Sequence, residues 1–273
     1  MDRKDSIKKI SLQHGFDDAR IAPWGEGSVL VLFARYAPAL TTEADRICIS
    51  SYYVASNRAY LNAAKLAEAL CAFGIPAKRD AELPAKKAAL ACGGWIGKNG
   101  FYYHPAFGSL VHIQTLLLEE QFDSVPEPTA KGCAGCGACI AACPGGAVTN
   151  TGVEYSRCLR KHMNGTIPDD LKPHVYQLYG CEKCQLACPM NKPGETEGMA
   201  FDLKKTIQGE TLPQLQELAG KNMARYVRTV NQAILCAANA GNTAVASAVS
   251  ELSIDERFAD ACRYYLGRLK KKD

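Results

Sequence analysis

Seven of the thirteen cysteines in this chain of 273 residues fall into two runs, and their spacing constrains the fold more than any other feature. The first run is Cys133-Ala-Gly-Cys136-Gly-Ala-Cys139-Ile-Ala-Ala-Cys143-Pro144, a C-x2-C-x2-C-x3-C-P pattern. The second is Cys181-Glu-Lys-Cys184-Gln-Leu-Ala-Cys188-Pro189, the same run without its first member, with Leu178 where that cysteine would stand. In such a run the three closely spaced thiolates wrap one [4Fe–4S] cube, and the fourth, before the proline, crosses to a second cube.

A four-iron cube takes four ligands, so the truncated run needs one more thiolate. Cys158 is the only cysteine between the two runs and is the expected supplier. The crossing rule then predicts Cys133, Cys136, Cys139 and Cys188 around one cube, and Cys181, Cys184, Cys143 and Cys158 around the other. Structural zinc also uses C-x2-C pairs. It does not ordinarily require the x2-x2-x3-C-P order, still less nearly twice.

Composition narrows the setting. The chain opens on the charged Met1-Asp-Arg-Lys-Asp-Ser, without the apolar run of a secretory leader, and no uncharged apolar stretch reaches the roughly eighteen residues of a membrane span. Thiolates that hold iron must stay reduced, which points to a cytoplasmic protein with no membrane association. A net charge of +4 permits an anionic partner such as RNA without demanding one. The other five cysteines, Cys48, Cys71, Cys92, Cys236 and Cys262, lie apart in apolar surroundings and read as small buried hydrophobes.

Periodicity supplies the organisation. Residues 2–14 read as a helix closed by Gly15, and the unbroken apolar run Ser28–Ala34 as a strand buried on both faces. Residues 55–73 read as a helix stopped by Gly74-Ile-Pro76, residues 84–92 as another entered at Pro84, and residues 111–118 as a second strand. This alternation suggests an α/β unit over residues 1–122. The proline-bearing stretch 121–131 reads as a linker, and the next break falls at Lys192–Gly198. Residues 123–198 would be a bacterial ferredoxin-like double [4Fe–4S] domain. In 199–273, stripes through Met223–Leu235, Val245–Leu252 and Phe258–Leu269 predict three amphipathic helices resembling one HEAT-like repeat with a capping helix. The predicted class is thus α+β or α/β, and a lone repeat should pack on the cube domain.

The cysteine pattern, with Cys158 isolated between the runs, resembles that of the epoxyqueuosine reductases. The likeness extends to His14-Gly-Phe-Asp17, Gly94-Trp-Ile-Gly-Lys-Asn99, Gly108-Ser109, Gly165-Thr-Ile-Pro168 and Tyr179-Gly-Cys181-Glu-Lys-Cys184-Gln-Leu, in family order. The resemblance implies reduction of an epoxide in a modified anticodon base of tRNA, the last step of queuosine synthesis. It also implies a cobalamin in the N-terminal unit, fed single electrons through the cubes from a reduced flavodoxin or ferredoxin. Gly94, Trp95, Ile96, Gly97 and Lys98 would then be cofactor-binding.

Two segments depart from the family. The link from Ala22-Pro-Trp24 to the strand at Val29 is very short where the family carries a longer segment. The family's acidic proton donor precedes the Gly-Trp-Ile-Gly-Lys motif, and ungapped counting puts Lys78 at its place. Asp80, or alternatively Glu82, would serve after a small shift, with Asp80 the candidate catalytic acid and a solvated loop charge the plainer reading. His104, beside Pro105, reads as structural rather than as a metal ligand. The chain is therefore expected to be a shortened relative of these oxidoreductases. The alternative is a non-catalytic two-cluster ferredoxin-like electron-transfer protein that has lost its cofactor pocket.

Overall fold

Elements through residue 123 run, in order, α1 (Arg3–Gln13), β1 (Asp18–Trp24), β2 (Gly27–Arg35), β3 (Arg46–Cys48), α2 (Ser51–Ala72), β4 (Ala77–Lys78), α3 (Ala85–Ala91), β5 (Trp95–Ile96), β6 (Tyr102–Tyr103) and β7 (Val111–Leu118). The computed structural model describes residues 2–41, 43–123, 132–194 and 199–270. Most of the expected linker at 121–131 lies outside the described residues, as do residues 195–198 of the second break. The chain divides into two units. The first comprises Met1–Tyr36, Ala55–Cys136 and Cys188–Glu195, and the second Ala37–Val54, Gly137–Ala187 and Thr196–Asp273.

In the first unit, successive residues of β2 serve two cores. Leu30, Leu32 and Ala34 pack with Ile7 of α1 and with Ala59, Ala63, Leu66 and Leu70 of α2. Val29, Val31 and Phe33 pack with Ala88 and Ala89 of α3, Cys92, and Tyr102 of β6. Both faces of β2 are covered, which is why its sequence is an unbroken apolar run rather than an alternating one. Each such side chain, fully buried, contributes roughly 1.5–3 kcal/mol.

The sheet order is β1-β2-β7-β4, and each of these pairings is antiparallel. The expected α/β unit is therefore built on an antiparallel sheet and belongs to the α+β class. Apolar runs report burial but not strand direction, and here direction is set by a hairpin. The short link after Trp24 is a two-residue turn, Gly25-Glu26, that pairs Trp24 with Gly27. Gly25 takes φ +60°, a left-handed conformation natural to glycine. β1 carries Pro23, which a sheet tolerates at its edge, where β1 lies.

The second unit continues with α4 (Ala138–Ala141), α5 (Leu159–His162), α6 (Lys183–Leu186), β8 (Ala200–Asp202), α7 (Leu203–Ile207), α8 (Leu212–Ala219), α9 (Tyr226–Ala240), α10 (Ala246–Leu252) and α11 (Ala259–Leu269). β3 and β8 pair antiparallel. The last three helices match the predicted stripes, and Gly241 closes α9 in the left-handed conformation. They share one core with the cysteine-bearing segment: Leu159, Met163, Leu171, Val175 and Leu178 pack with Val230, Ile234, Ala237 and Tyr265. The segment 137–187 and the helical tail thus form one unit, in keeping with a tail that cannot bury its apolar face alone.

Polar side chains lock that packing. The Gln232 amide accepts from the Tyr179 N–H (2.7 Å) and donates to the Met163 carbonyl (2.6 Å). Asn239 donates to the carbonyls of Lys172 and Val175 at 2.7 and 2.8 Å. Tyr179 has a positive φ of 70°, a costly conformation for a bulky residue. Its hydroxyl meets Thr229 at 2.7 Å, so α9 holds the strained turn that leads directly into Cys181.

Candidate functional site

Five of the eight cysteines, Cys139, Cys143, Cys158, Cys181 and Cys184, belong to the second unit. Short elements present them: α4 carries Cys139, Cys143 follows it, Cys158 precedes α5, and α6 starts between Cys181 and Cys184. Burial pushes the Cys181 thiol up to about 11, and its neighbours Cys158 and Glu182 push the same way. Cys184 is raised as well, by burial first and then by Cys181, Cys143, Cys158 and Cys139. Cys184 is therefore within electrostatic reach of Cys143, Cys158 and Cys181, and also of Cys139, which the crossing rule assigns to the other cube. Such crowding resists ionisation until a cationic centre binds the sulfurs, whereupon the protons leave. Among the described residues, no three His, Cys, Asp or Glu side chains gather around a single-ion position. An iron–sulfur cube holds its thiolates farther apart than one ion does.

Donors are in place around these sulfurs. The Ala147 N–H reaches Cys143 Sγ at 3.2 Å, and the Tyr176 hydroxyl donates to Cys181. The carboxylate of Glu182, fully buried beside Cys181, accepts from the Ser50 hydroxyl at 2.6 Å, the Gln177 amide at 2.7 Å and the Tyr52 N–H at 3.4 Å. Sequence inspection passed over Glu182. Its position between two predicted ligand cysteines was the available signal.

In the first unit, the β5–β6 hairpin touches two further cysteines. The N–H groups of Gly135 and Lys98 donate to the exposed Cys133 and draw its thiol below the usual range. The Tyr103 hydroxyl accepts from Asn99 at 3.0 Å and donates to Cys188. Burial and then Cys188 hold that phenol well above its ordinary value. One hairpin thus contacts one cysteine from each run. Cys136, also in this unit, is exposed.

The glycines of the Gly94–Lys98 loop have a packing explanation. A Cβ on Gly94, at φ +85°, would collide with the Tyr103 carbonyl and the Tyr102 ring, and one on Gly97 with the Tyr103 ring. Trp95 stacks on Tyr103 with centroids 5.7 Å apart and an interplanar angle of 15°. Its indole N–H is buried without a hydrogen-bond partner among the described residues. Ile96 is exposed. The loop therefore presents a flat aromatic pair and one unanswered donor, which fits a planar ligand bearing an acceptor.

Asp80 stands on an exposed turn after β4, where its carboxylate accepts the Glu82 N–H at 2.9 Å. Lys78 lies in β4 opposite Leu117. His104 is structural: Nδ1 accepts from the Ala106 N–H (3.2 Å), so Nε2 carries the proton toward Asp18 (3.0 Å). Arg20 and Lys8 also pair with Asp18, at 2.9 and 3.2 Å. Burial alone would raise the Asp18 carboxyl, but His104 and Arg20 outweigh it and hold the group well below the carboxylate range. Of the five cysteines read as buried, Cys48, Cys92, Cys236 and Cys262 are buried, whereas Cys71 is exposed. Cys71 faces outward near the end of α2, beside the Ala77 backbone.

A 4Fe-4S double cluster binding domain matches residues 132–191. Epoxyqueuosine reductase from Salmonella typhimurium is 32% identical over 150 residues, covering 53% of this chain and 37% of that protein. The matched stretch thus spans well under half of that relative. The solved structure of epoxyqueuosine reductase from Streptococcus thermophilus superposes with a TM-score of 0.80 at 16% identity, covering 100% of this chain and 92% of that one. An epoxyqueuosine reductase solved with an epoxyqueuosine-modified tRNA-Tyr stem loop gives a TM-score of 0.72 at 17% identity, covering 97% and 90%. At such identities the superpositions speak for the fold, a mixed α and β architecture. Among the described residues, no helix is long and apolar enough to cross a membrane. In its double cluster domain and its sequence matches this chain is similar to the epoxyqueuosine reductases, whose fold it shares.

Proposed function

We propose that the chain is an iron–sulfur reductase of the epoxyqueuosine reductase type, acting on epoxyqueuosine in tRNA with a cobalamin held at the β5–β6 hairpin. The observation that carries this reading is that the hairpin offering an orphaned Trp95 N–H also hydrogen-bonds Cys133 and Cys188. A ligand there would lie beside sulfurs that hold a cube. Cys133, Cys136, Cys139 and Cys188 are assigned to that cube, and Cys143, Cys158, Cys181 and Cys184 to the second. When bound, cobalamin would supply a strongly reducing cobalt centre, and the cubes would deliver single electrons.

The chain's own residues do the rest. Trp95 and Tyr103 present a flat face, and the loop backbone of Gly94, Ile96, Gly97 and Lys98 shapes its edge. The Lys98 N–H and Tyr103 hydroxyl donate to cysteine sulfurs, an interaction that tunes cluster potential. Asp80 remains the candidate proton donor to the epoxide oxygen. Its exposed turn leaves it free to approach a large substrate such as tRNA. Arg46, His174 and Lys183 line a cavity of about 590 Å³ with Ala142 and Pro144, the neighbours of Cys143. The charges of Arg46 and Lys183 suit an acidic electron donor of the flavodoxin or ferredoxin kind.

The second reading is a two-cluster electron carrier without catalysis. The two-residue Gly25-Glu26 turn and the locally bonded Asp80 favour it. Titrating anaerobically prepared protein with cobalamin separates the two. A base-off absorption change is expected, and a flat titration in protein loaded with iron leaves the carrier standing.

A further inference from the structure

The Gly108-Ser109 segment lies outside the cofactor face and the ligand sets described above, yet it grips the turn that follows Cys188. The Asn191 N–H closes that turn on the Cys188 carbonyl at 3.2 Å. The Asn191 side-chain oxygen accepts twice from Ser109, from its N–H at 2.6 Å and from its hydroxyl at 3.1 Å. A backbone N–H can only donate, so the atom facing it is the amide oxygen and not the amide nitrogen. Ser109 is buried, where a hydrogen bond is stronger than in water. Gly108 opens the way: it sits at φ +78°, and a Cβ there would collide with the Asn191 side-chain oxygen, the Asn191 Cα and the Met190 carbonyl. Further on, the Lys192 N–H bonds to the Phe107 carbonyl at 3.0 Å, and Arg35 donates to the carbonyls of Lys192 and Pro193 at 3.3 and 2.9 Å. All of these residues belong to the first unit.

We propose that Asn191 is a positioning residue for the cube assigned to Cys133, Cys136, Cys139 and Cys188: clasped by Ser109 through the gap that Gly108 leaves, it holds Cys188 in place as the fourth ligand. The inference rests on the ligand partition above. Three of those thiolates share one short run, whose spacing fixes them locally. Cys188 comes from the other run, so its place depends on tertiary contacts. The Ser109 hydroxyl also meets the Tyr103 phenol, which donates to Cys188, so the clasp and the sulfur's hydrogen-bond donor form one network. Without the clasp, the iron bound by Cys188 is the most weakly held of the four. Removal of one electron by ferricyanide then releases it: [4Fe–4S]2+ yields [3Fe–4S]+, Fe2+ and the electron that reduces ferricyanide to ferrocyanide.

The test uses the full chain reconstituted anaerobically with iron and sulfide, as wild type, Asn191→Leu, Asn191→Asp and Ser109→Ala. Each is oxidised with ferricyanide, and growth of the three-iron signal is followed by electron paramagnetic resonance. Asn191→Leu keeps the volume but loses the acceptor, and it should form the three-iron cluster about tenfold faster than wild type, the worth of roughly one net hydrogen bond. Ser109→Ala keeps its N–H and should gain about threefold, a share of the same bond energy. Asn191→Asp retains an acceptor for both donors and should stay near wild type. The other cube, identified by the reduced-state signal that Cys158→Ala lacks, should be unchanged throughout. A residue that only braces the fold would lower the denaturant midpoint of Asn191→Leu without quickening iron loss, and that result would overturn the proposal. Equal quickening in the Asp variant, or equal losses from both cubes, would overturn it too. Should Asn191→Leu not fold, an unchanged rate in Ser109→Ala decides against the clasp. A wild-type chain that takes up no iron would instead sink the two-cube reading itself.

Discussion

The loop around Glu182 and the loop around Trp95 both sit beside cluster-type cysteines, yet they treat their polar atoms in opposite ways. At Glu182 both carboxylate oxygens are answered by internal donors, and the backbone N–H is taken by the Tyr176 hydroxyl at 2.8 Å. At Trp95 the ring is packed against Tyr103 but the indole N–H has no partner. Burying an unanswered donor costs about 1–3 kcal/mol, so a fold keeps one where something else completes it. A closed polar loop fixes an electrostatic environment permanently, whereas an open one waits for a ligand. The second loop is thus the one that offers a donor to a ligand, whereas the first keeps its carboxylate oxygens paired, with the Gln177 side-chain oxygen beside it buried and unpartnered among the described residues.

The strongest way to break the comparison is to remove Cys158. If it completes the second ligand set, Cys158→Ala should hold about four of the roughly eight irons expected for two cubes, with the second cube's spectroscopic signature lost and the first cube's intact. Equal loss of both signals would show that the thiolates are shared otherwise, and the closed loop would lose its cube.

Asp18 offers the next effect, now on stability. Its carboxylate joins His104, Arg20 and Lys8 within the first unit, and Asp18→Asn should cost about 2–4 kcal/mol at neutral pH by leaving buried donors unanswered. Because the folded carboxyl is depressed, its contribution is fully present above the unfolded value, about 3.9, and fades as pH falls below it. Denaturant midpoints at pH 7 and pH 3 should therefore show a gap between wild type and variant that narrows in acid. Both tryptophans, Trp24 and Trp95, lie in this unit and report its unfolding. A gap independent of pH would mean that shape, not charge, is what Asp18 supplies.

Gly94→Ala should be similar or slightly milder, costing about 1–3 kcal/mol. It forces a side chain into a left-handed backbone and against the Tyr103 carbonyl, which cannot rotate away. Gly97→Ala meets a ring that can shift, so it should cost less. If the two variants were equally stable, the hairpin would not be the reason for these glycines.

Legibility in the sequence divides along similar physical lines. The double cluster domain could be read because cluster geometry demands fixed local spacing, and the tail helices because each buries one stripe. β2 announced its burial on both faces. β1 did not read as a strand: Asp18-Ala-Arg-Ile-Ala-Pro-Trp mixes charge, proline and apolar residues, and only its pairing with β2 makes it one. The antiparallel sheet was likewise hidden, since periodicity carries no direction. Asp18 and His104 meet across a sequence separation of 86, and Ser50 and Glu182 across 132, so no local pattern could join them. The Gly94–Lys98 motif was legible as a motif, but its glycines turned out to serve the packing of Tyr102 and Tyr103. The unanswered donor on Trp95 emerged only from the folded chain.

That donor gives the smallest and most pointed prediction. Trp95→Phe keeps an aromatic face over Tyr103 and deletes an N–H that has no hydrogen-bond partner among the described residues. Because no hydrogen bond is lost on folding, stability should change by less than about 1 kcal/mol, and relief of the buried donor offsets part of the lost ring area. Affinity for a planar, acceptor-bearing ligand should fall about tenfold, the worth of one good hydrogen bond of roughly 1.4 kcal/mol. Titration calorimetry with cobalamin, on wild type and variant loaded with iron, reads the affinity, and denaturant unfolding of the same preparations reads the stability. Unchanged affinity with a large loss of stability would reverse the assignment, making Trp95 a packing residue and removing the distinction between an open loop and a closed one.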